Sequence, residues 1–112
     1  MANNDNIIFL EHILESCKII KFYIKGLTKV DFSKSLEKQD SIIRRLEIVG
    51  EAVAKLDKNF KEKYKGIEWF KISDMRNVLI HHYFGVDTNL VWNTIKKDIP
   101  KLEKYIKEIL GK

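Results

Sequence analysis

A short segment in the second half of the chain concentrates side chains that could take part in catalysis. Residues 76–83 carry a guanidinium at Arg76, an amide at Asn77, imidazoles at His81 and His82 and a phenol at Tyr83. The rest of the sequence shows no glycine-rich phosphate loop, no serine or cysteine nucleophile with a positioned partner, and no histidine and carboxylate set at metal-ligand spacing. The segment is therefore the candidate site.

An arginine and a histidine are the two side chains that cleavage of RNA without a metal ion needs. Arginine can donate two hydrogen bonds to one phosphate, and histidine titrates near neutral pH. When a 2′-hydroxyl attacks the adjacent phosphate, a base takes its proton, an acid protonates the leaving oxygen, and a positive charge stabilises the phosphoryl oxygens. Arg76 and His81 are therefore candidate catalytic residues, and this chemistry requires neither a metal ion nor a cofactor.

The spacing of these residues constrains how they can meet. On a regular helix His81 lies about 140° around the axis from Arg76, whereas Tyr83 lies within about 20° of it. Arg76 and His81 can then approach each other only near a helix end, or across a symmetric homodimer that supplies two copies of each group. Spacing alone leaves an alternative open: a structural arginine–histidine hydrogen bond, with His82 and Tyr83 as core aromatic residues.

The elements that hold this segment are predicted to be helices. The chain has one proline and five glycines, it has no alternating run of β-branched residues, and its apolar residues recur at intervals of three and four. We expect an all-α protein with a single domain over residues 1–112, folded as an up-and-down bundle of four to five helices.

Two long helices are predicted in the first half of the chain. The first spans about Asn6 to Lys25 and ends at Gly26, and the second spans about Ser35 to Leu56. The stretch Thr28–Lys34 is predicted to be a polar connection, and Asp57–Lys65 a basic, turn-rich link. The residues of the second helix expected to face inward are Leu36, Ile43, Leu46, Val49, Val53 and Leu56.

The second half is predicted to begin with a helix from Ile67 or Trp69 to His82 or Phe84, which carries the candidate site. A fourth helix then begins with Asp87 or Thr88 as its N-cap. Pro100 either kinks that helix or begins a fifth one. The residues expected to be buried in the fourth helix are Leu90 or Val91, Trp92, Ile95 and Ile99.

Composition and charge exclude several classes of protein. A hydrophobic fraction of 45% with 33% charged residues is typical of a folded globular chain. Cys17 is the only cysteine, which rules out an intrachain disulfide, and its spacing predicts a core residue.

The sequence shows no stretch long and apolar enough for a membrane span and no leader at its start, so a cytoplasmic location is expected. The net charge of +5 favours an anionic partner such as nucleic acid, or reflects a lysine-rich surface.

The residues of the candidate site resemble a known family, the HEPN domains, and in particular their HepT toxin branch. Arg76, Asn77, His81 and Tyr83 match the pattern of that branch. Other matching features are the helix 45–52 with its Gly-Glu-Ala sequence, Trp69 before the motif, and the pairs 86–87 and 91–92 after it. The similarity extends from the first helix to Ile99.

This resemblance implies a HEPN-like helical homodimer with a composite cleft that cleaves RNA without metal. It further implies a toxin of a type II-like or AMPylation-controlled toxin–antitoxin pair, with an MNT nucleotidyltransferase as the cognate antitoxin. In the HepT branch the antitoxin transfers AMP to the motif tyrosine. The resemblance therefore identifies Tyr83 as the expected AMP acceptor and a regulatory residue.

Other charged residues are candidates for supporting roles. Glu47 and Glu51 lie one turn apart on the second helix, so one of them could hold Arg76, or both could form a solvated pair. Lys38, Arg44 and Arg45 could contribute to an RNA-binding surface or to a solvated helix face.

A different class of function is the main alternative. HEPN-like bundles also serve as noncatalytic helical partners that help a nucleotidyltransferase bind its substrate. The intact set of Arg76, Asn77, His81 and Tyr83 argues against a pure adaptor, which has no chemical need for all four. A plain dimerisation domain with a basic surface is a third possibility.

Overall fold

The computed structural model describes residues 4–80 and 87–112 of the chain. Within these ranges it contains helices and no strands. The α-helices are α1 (Asn4–Tyr23), α2 (Lys29–Lys34), α3 (Leu36–Lys55), α4 (Lys58–Lys63), α5 (Trp69–Ile80), α6 (Thr88–Asn93) and α7 (Ile99–Leu110), and a π-helical segment, Thr94–Asp98, joins α6 to α7. The prediction of an all-α bundle is confirmed.

The long helices share one hydrophobic core. Helix α1 packs against α3 and α7, and α3 also packs against α5. The apolar side chains that recur every three or four positions along the first helical region are buried: Leu10, Ile13, Leu14, Cys17, Ile20 and Ile24. Gly26 ends the turn after α1 with a φ of 76°, as its lack of a Cβ permits. The fully buried aliphatic residues include Leu10, Ile13, Ile20, Ile42, Leu46, Val49, Val53, Val91, Ile95, Leu102 and Ile106.

Each of the two predicted connections contains a short helix, so those predictions were wrong. In Thr28–Lys34, Thr28 and Asp31 form a reciprocal cap that begins α2: each side-chain oxygen accepts a backbone N–H of the other residue at 3.1 Å. Phe32 of α2 is fully buried, and its ring centroid lies 5.5 Å from that of Trp92. Asp57–Lys65 likewise contains α4. A single buried aromatic in α2 and no fully buried residue in α4 give no periodic signal, which is why these helices were missed.

The beginning of α3 also differs from the expectation. Leu36 was predicted to face inward, but its side chain is 74% exposed. Gln39 is buried instead, and its Nε2 donates hydrogen bonds to the carbonyls of Phe32 at 2.9 Å and Ser33 at 3.1 Å. These carbonyls lie in the last turn of α2, where carbonyl groups lack the full set of helical donors, although that of Phe32 also accepts the backbone N–H of Ser35 at 3.3 Å. A buried amide here is therefore favoured over a buried leucine. Ile42 is fully buried where Ile43 was expected.

The π-helical segment resolves the alternative at Pro100. The backbone N–H of Ile99 donates to the carbonyl of Thr94, five residues earlier, and Pro100 lies in the first turn of α7. Proline has no backbone N–H to donate to the carbonyl four residues earlier, and its ring clashes with that carbonyl. The wider π-helical turn before Pro100 avoids both the missing hydrogen bond and the clash. Pro100 is therefore the second residue of α7, a last helix that follows α6 and the π-helical segment without a break. Asp87 caps α6 as predicted, and Val91 rather than Leu90 is its buried residue.

The length and hydropathy of the helices in the described ranges show whether any of them could span a membrane. None of them combines the length and the apolar character that crossing a bilayer would require.

Candidate functional site

An aromatic cluster fixes the beginning of α5, the helix that carries the candidate site. Trp69, the first residue of α5, is buried, and its indole Nε1 donates to the carbonyl of Tyr64 at 2.6 Å. The ring of Phe60 packs near both residues, with its centroid 4.8 Å from that of Tyr64 and 6.1 Å from that of Trp69. Burial of these rings anchors the N-terminal end of α5 to α4. The predicted helix start at Trp69 is confirmed.

A close contact ties the link before α5 to α7. The backbone N–H of Gly66 donates to the hydroxyl of Tyr105 at 3.1 Å. A Cβ at position 66 would lie 2.7 Å from that hydroxyl oxygen, so a side chain there would displace the tyrosine ring. Glycine at this position lets the link pack directly on α7.

Asn77 of the motif is held by a residue that the sequence analysis did not identify. Its side chain is exposed, and its Nδ2 donates to Oδ1 of Asp74 at 3.0 Å. The two residues are three apart on α5, a spacing at which helical side chains are neighbours. That spacing is the signal that could have identified Asp74 beforehand.

The remaining motif residues are placed less completely. Arg76 lies on α5 next to Asn77. His81, His82 and Tyr83 lie outside the described residues, as does the predicted end of this helix at His82 or Phe84. The approach of His81 to Arg76 therefore stays a prediction.

The two candidate supporting carboxylates lie on the helix that packs against α5. Glu47 and Glu51 are both half-buried on α3. They therefore lie on the helix next to α5. That either of them holds Arg76 stays a prediction. Lys38 lies over the ring of Tyr23 with its Nζ 5.7 Å from the centroid, Arg44 is exposed and Arg45 is half-buried.

A groove of about 660 Å³ runs beside α5, between that helix and α7. Asp74 is among its lining residues, so the groove reaches the residue that holds the motif amide of Asn77. Its apolar lining includes two strongly exposed side chains, Phe70 at 80% and Leu90 at 40%. The charged groups around it include Lys71, Asp74, Asp98 and Lys104. A surface of this kind can contact both the apolar and the charged parts of a ligand.

Two other residues with potentially reactive side chains, Cys17 and His12, lie on α1. Burial raises the pKa of the Cys17 thiol to about 12, with the nearby Glu103 carboxylate adding to the effect, so the thiol stays protonated at neutral pH. The prediction that Cys17 is a core residue is confirmed, and His12 is exposed on α1. Within residues 4–80 and 87–112 no three His, Cys, Asp or Glu side chains are grouped as metal ligands. That RNA cleavage needs no metal ion stays a prediction.

Comparison with known proteins identifies the family. The family model described as "Ribonuclease HepT-like" matches residues 13–109, which include the whole candidate segment. The chain belongs to the HepT-like ribonuclease family. The resemblance seen in the motif residues is thereby confirmed, and the helical bundle agrees with it.

Several relatives share this HepT-like sequence over most of the chain. A protein of Caldanaerobacter subterraneus subsp. tengcongensis named "Putative RNase" is 47% identical over 93% of this chain and 93% of its own length. A "Probable ribonuclease HepT" of Thermococcus cleftensis is 39% identical over 85% of this chain and 86% of its own length.

A third relative is longer than this chain. The "Gamma-glutamylcyclotransferase and putative RNase" of Methanocaldococcus jannaschii is 50% identical over 92% of this chain, which spans 46% of that relative's length. The cyclotransferase activity in its name is therefore assigned only to that longer protein. No solved structure is significantly similar to this HepT-like chain.

Proposed function

We propose that this protein is a metal-independent endoribonuclease with Arg76 and His81 as its catalytic residues. The observation that carries the proposal is the match of a ribonuclease family across residues 13–109, which contain an arginine, amide and histidine motif. The exposed amide of Asn77, oriented by Asp74 beside Arg76, supports it because a motif residue held at the surface is available to a substrate.

The reaction follows from the chemistry of the two residues. Neutral His81 takes the proton of the 2′-hydroxyl, whose oxygen attacks the adjacent phosphorus, while the guanidinium of Arg76 stabilises the phosphoryl oxygens. A protonated His81 of a second copy donates a proton to the departing 5′-oxygen. The products are a 2′,3′-cyclic phosphate and a 5′-hydroxyl. The reaction needs no metal ion or cofactor.

A homodimer forms part of this proposal. One histidine cannot act as base and acid in the same step, and a two-fold axis supplies two histidines and two arginines to one cleft. Asn77, Glu47 and Glu51 are proposed to support the catalytic pair, since Asn77 neighbours Arg76 and the glutamates lie on the helix packed against α5.

Regulation is the second part of the proposal. The protein is the toxin of a cytoplasmic toxin–antitoxin pair, and its antitoxin is a nucleotidyltransferase of the MNT type that transfers AMP to Tyr83. The HepT-like family membership supports this pairing. An AMP group near Arg76 would bring an anion and steric bulk to the place where the RNA phosphate binds.

The test is RNA cleavage by the purified protein. His81→Ala and Arg76→Ala should each reduce the rate by at least about 100-fold, since each removes a proton-transfer group or a transition-state charge. His12→Ala and Lys25→Ala are controls that remove a histidine and a cation from exposed positions, and both should retain the wild-type rate.

Circular dichroism checks that all four variants keep their helices. A folded His81→Ala protein with wild-type activity would contradict the catalytic assignment. A folded wild-type protein that cleaves no RNA but binds the nucleotidyltransferase would favour a noncatalytic partner instead.

A further inference from the structure

We propose that a lysine patch at the beginning of α5 binds single-stranded RNA and guides it to the motif, with Phe70 stacking on an unpaired base. The lysine patch consists of Lys58, Lys61, Lys65 and Lys71, which surround a shallow depression of about 510 Å³ that Phe70 also lines. This inference rests on the proposed ribonuclease function, and it identifies single-stranded RNA as the form of RNA that the protein cleaves.

The charge of the chain is concentrated around this patch. Residues 55–71 hold six lysines against three carboxylates, so 17 residues carry three of the five net positive charges of the chain. Around the depression itself, four lysines face two carboxylates, Glu62 and Glu68. A polyanion is the partner that this imbalance favours.

The four lysines are available to a ligand. Lys58, Lys65 and Lys71 are exposed and Lys61 is half-buried, and none of them forms an ion pair with a described residue. Their neighbour Lys63 differs, because its Nζ lies 5.4 Å from the ring centroid of Tyr64. The patch is therefore distinct from the lysines that cover aromatic rings.

Phe70 supplies the feature that distinguishes a single strand from a duplex. Its side chain is 80% exposed at the second position of α5, and it lines the same depression as the four lysines. Its exposed ring offers an apolar face on which a ligand's flat ring can stack. Proteins that bind single strands combine a positive groove for the backbone with aromatic rings on which bases stack, and paired bases are not accessible to such a ring.

The patch lies on the path to the motif. Phe70 and Asn77 are seven residues apart on α5, which places them within about 20° of each other around the axis and about 10 Å apart along it. Asp74, between them, lines the groove and holds Asn77. A strand stacked on Phe70 can therefore continue along the same face of α5 to Asn77, the sequence neighbour of Arg76.

The experiment measures binding of an uncleavable single strand. Fluorescence anisotropy with a labelled 2′-O-methyl-oligouridine reports binding without cleavage, because the attacking hydroxyl is blocked. The variants of the full chain are the triple substitution Lys58→Ala, Lys61→Ala and Lys65→Ala, and the single substitutions Phe70→Ala and Phe70→Trp. The control triple Lys18→Ala, Lys25→Ala and Lys29→Ala removes the same charge from exposed positions elsewhere.

The expected effects differ between the variants. The patch triple should weaken binding at least about 10-fold and make the slope of log affinity against log salt shallower by about 2, since each phosphate contact to a single strand contributes about 0.7. The control triple should change both quantities much less. Phe70→Ala should weaken binding about 5-fold or more, Phe70→Trp should retain it, and neither should alter binding to duplex RNA.

Several outcomes would overturn the proposal. Equal effects of the two triples would show a diffuse charge effect without a patch. A change in molar mass by light scattering for Phe70→Ala would show that Phe70 packs against a second copy. Failure of wild-type protein to cleave RNA would contradict the proposed function alone, whereas His81-dependent cleavage with no patch effect on binding would contradict this inference alone.

Discussion

The side-chain amide of Asn77 donates a hydrogen bond to the carboxylate of Asp74, with 3.0 Å between Nδ2 and Oδ1. The pair lies on α5, where Asp74 lines the groove and Asn77 is the neighbour of Arg76. This contact restricts the rotamers of Asn77 and so presents a motif amide in one orientation. Asp74 is therefore a positioning residue in the proposed reaction.

Asp74→Ala should lower the rate of RNA cleavage about 3- to 10-fold, because a partly exposed hydrogen bond contributes about 1 kcal/mol to the placement of Asn77. Asp74→Asn keeps an acceptor oxygen and should restore most of the rate. Glu108→Ala removes another carboxylate of the same groove and serves as the control. Equal losses in Asp74→Asn and Asp74→Ala would show that charge, rather than the contact with Asn77, is responsible.

Cleavage should continue in excess EDTA and should leave a 2′,3′-cyclic phosphate. The physical reason is that His81 and Arg76 supply proton transfer and charge stabilisation without a Lewis acid. Mass spectrometry of the cleaved fragments distinguishes a cyclic phosphate from a linear one by the mass of one water. Activity that disappears with the chelator and returns with magnesium would refute the proposed chemistry.

Tyr83→Phe should retain the helical fold and much of the ribonuclease activity but escape inactivation by a cognate nucleotidyltransferase with ATP and magnesium. The substitution removes only the hydroxyl that would accept AMP. Intact-mass spectrometry and a cleavage assay after incubation provide the measurement, and Tyr23→Phe on α1 is the control. A gain of AMP mass with loss of activity in Tyr83→Phe would place the modification on another residue.

Cys17 should make the stability of the fold depend on pH in the alkaline range. Its pKa is about 12 in the fold, where burial disfavours the thiolate, against 9.0 for an exposed thiol. Between these values the unfolded chain has released a proton that the folded chain retains, so the free energy of unfolding falls as pH rises. Urea titrations at pH 7 and pH 10 measure the fall, which should be smaller in Cys17→Ala. An identical fall in both proteins would mean that other groups cause it.

The sequence by itself determined the features that depend on a few adjacent residues. Gly26 ends the first helical region and Asp87 caps α6 because a left-handed turn and an N-cap are set by the local backbone. The periodic apolar residues determined which faces of α1 and most of α3 are buried. The motif from Arg76 to Tyr83 likewise identified the family, since its residue types and spacing are properties of the chain alone.

Only the tertiary structure decided which isolated residues are buried and which polar groups pair. Phe32 and Gln39 are buried while Leu36 is exposed, because α2 folds back onto α3 and presents its last carbonyls there. Asn6 is buried at the start of α1 because its side chain exchanges two hydrogen bonds with Asp57, 51 residues away in sequence. Burial and pairing of this kind depend on which elements meet in space, and residue spacing within one helix carries no information about that.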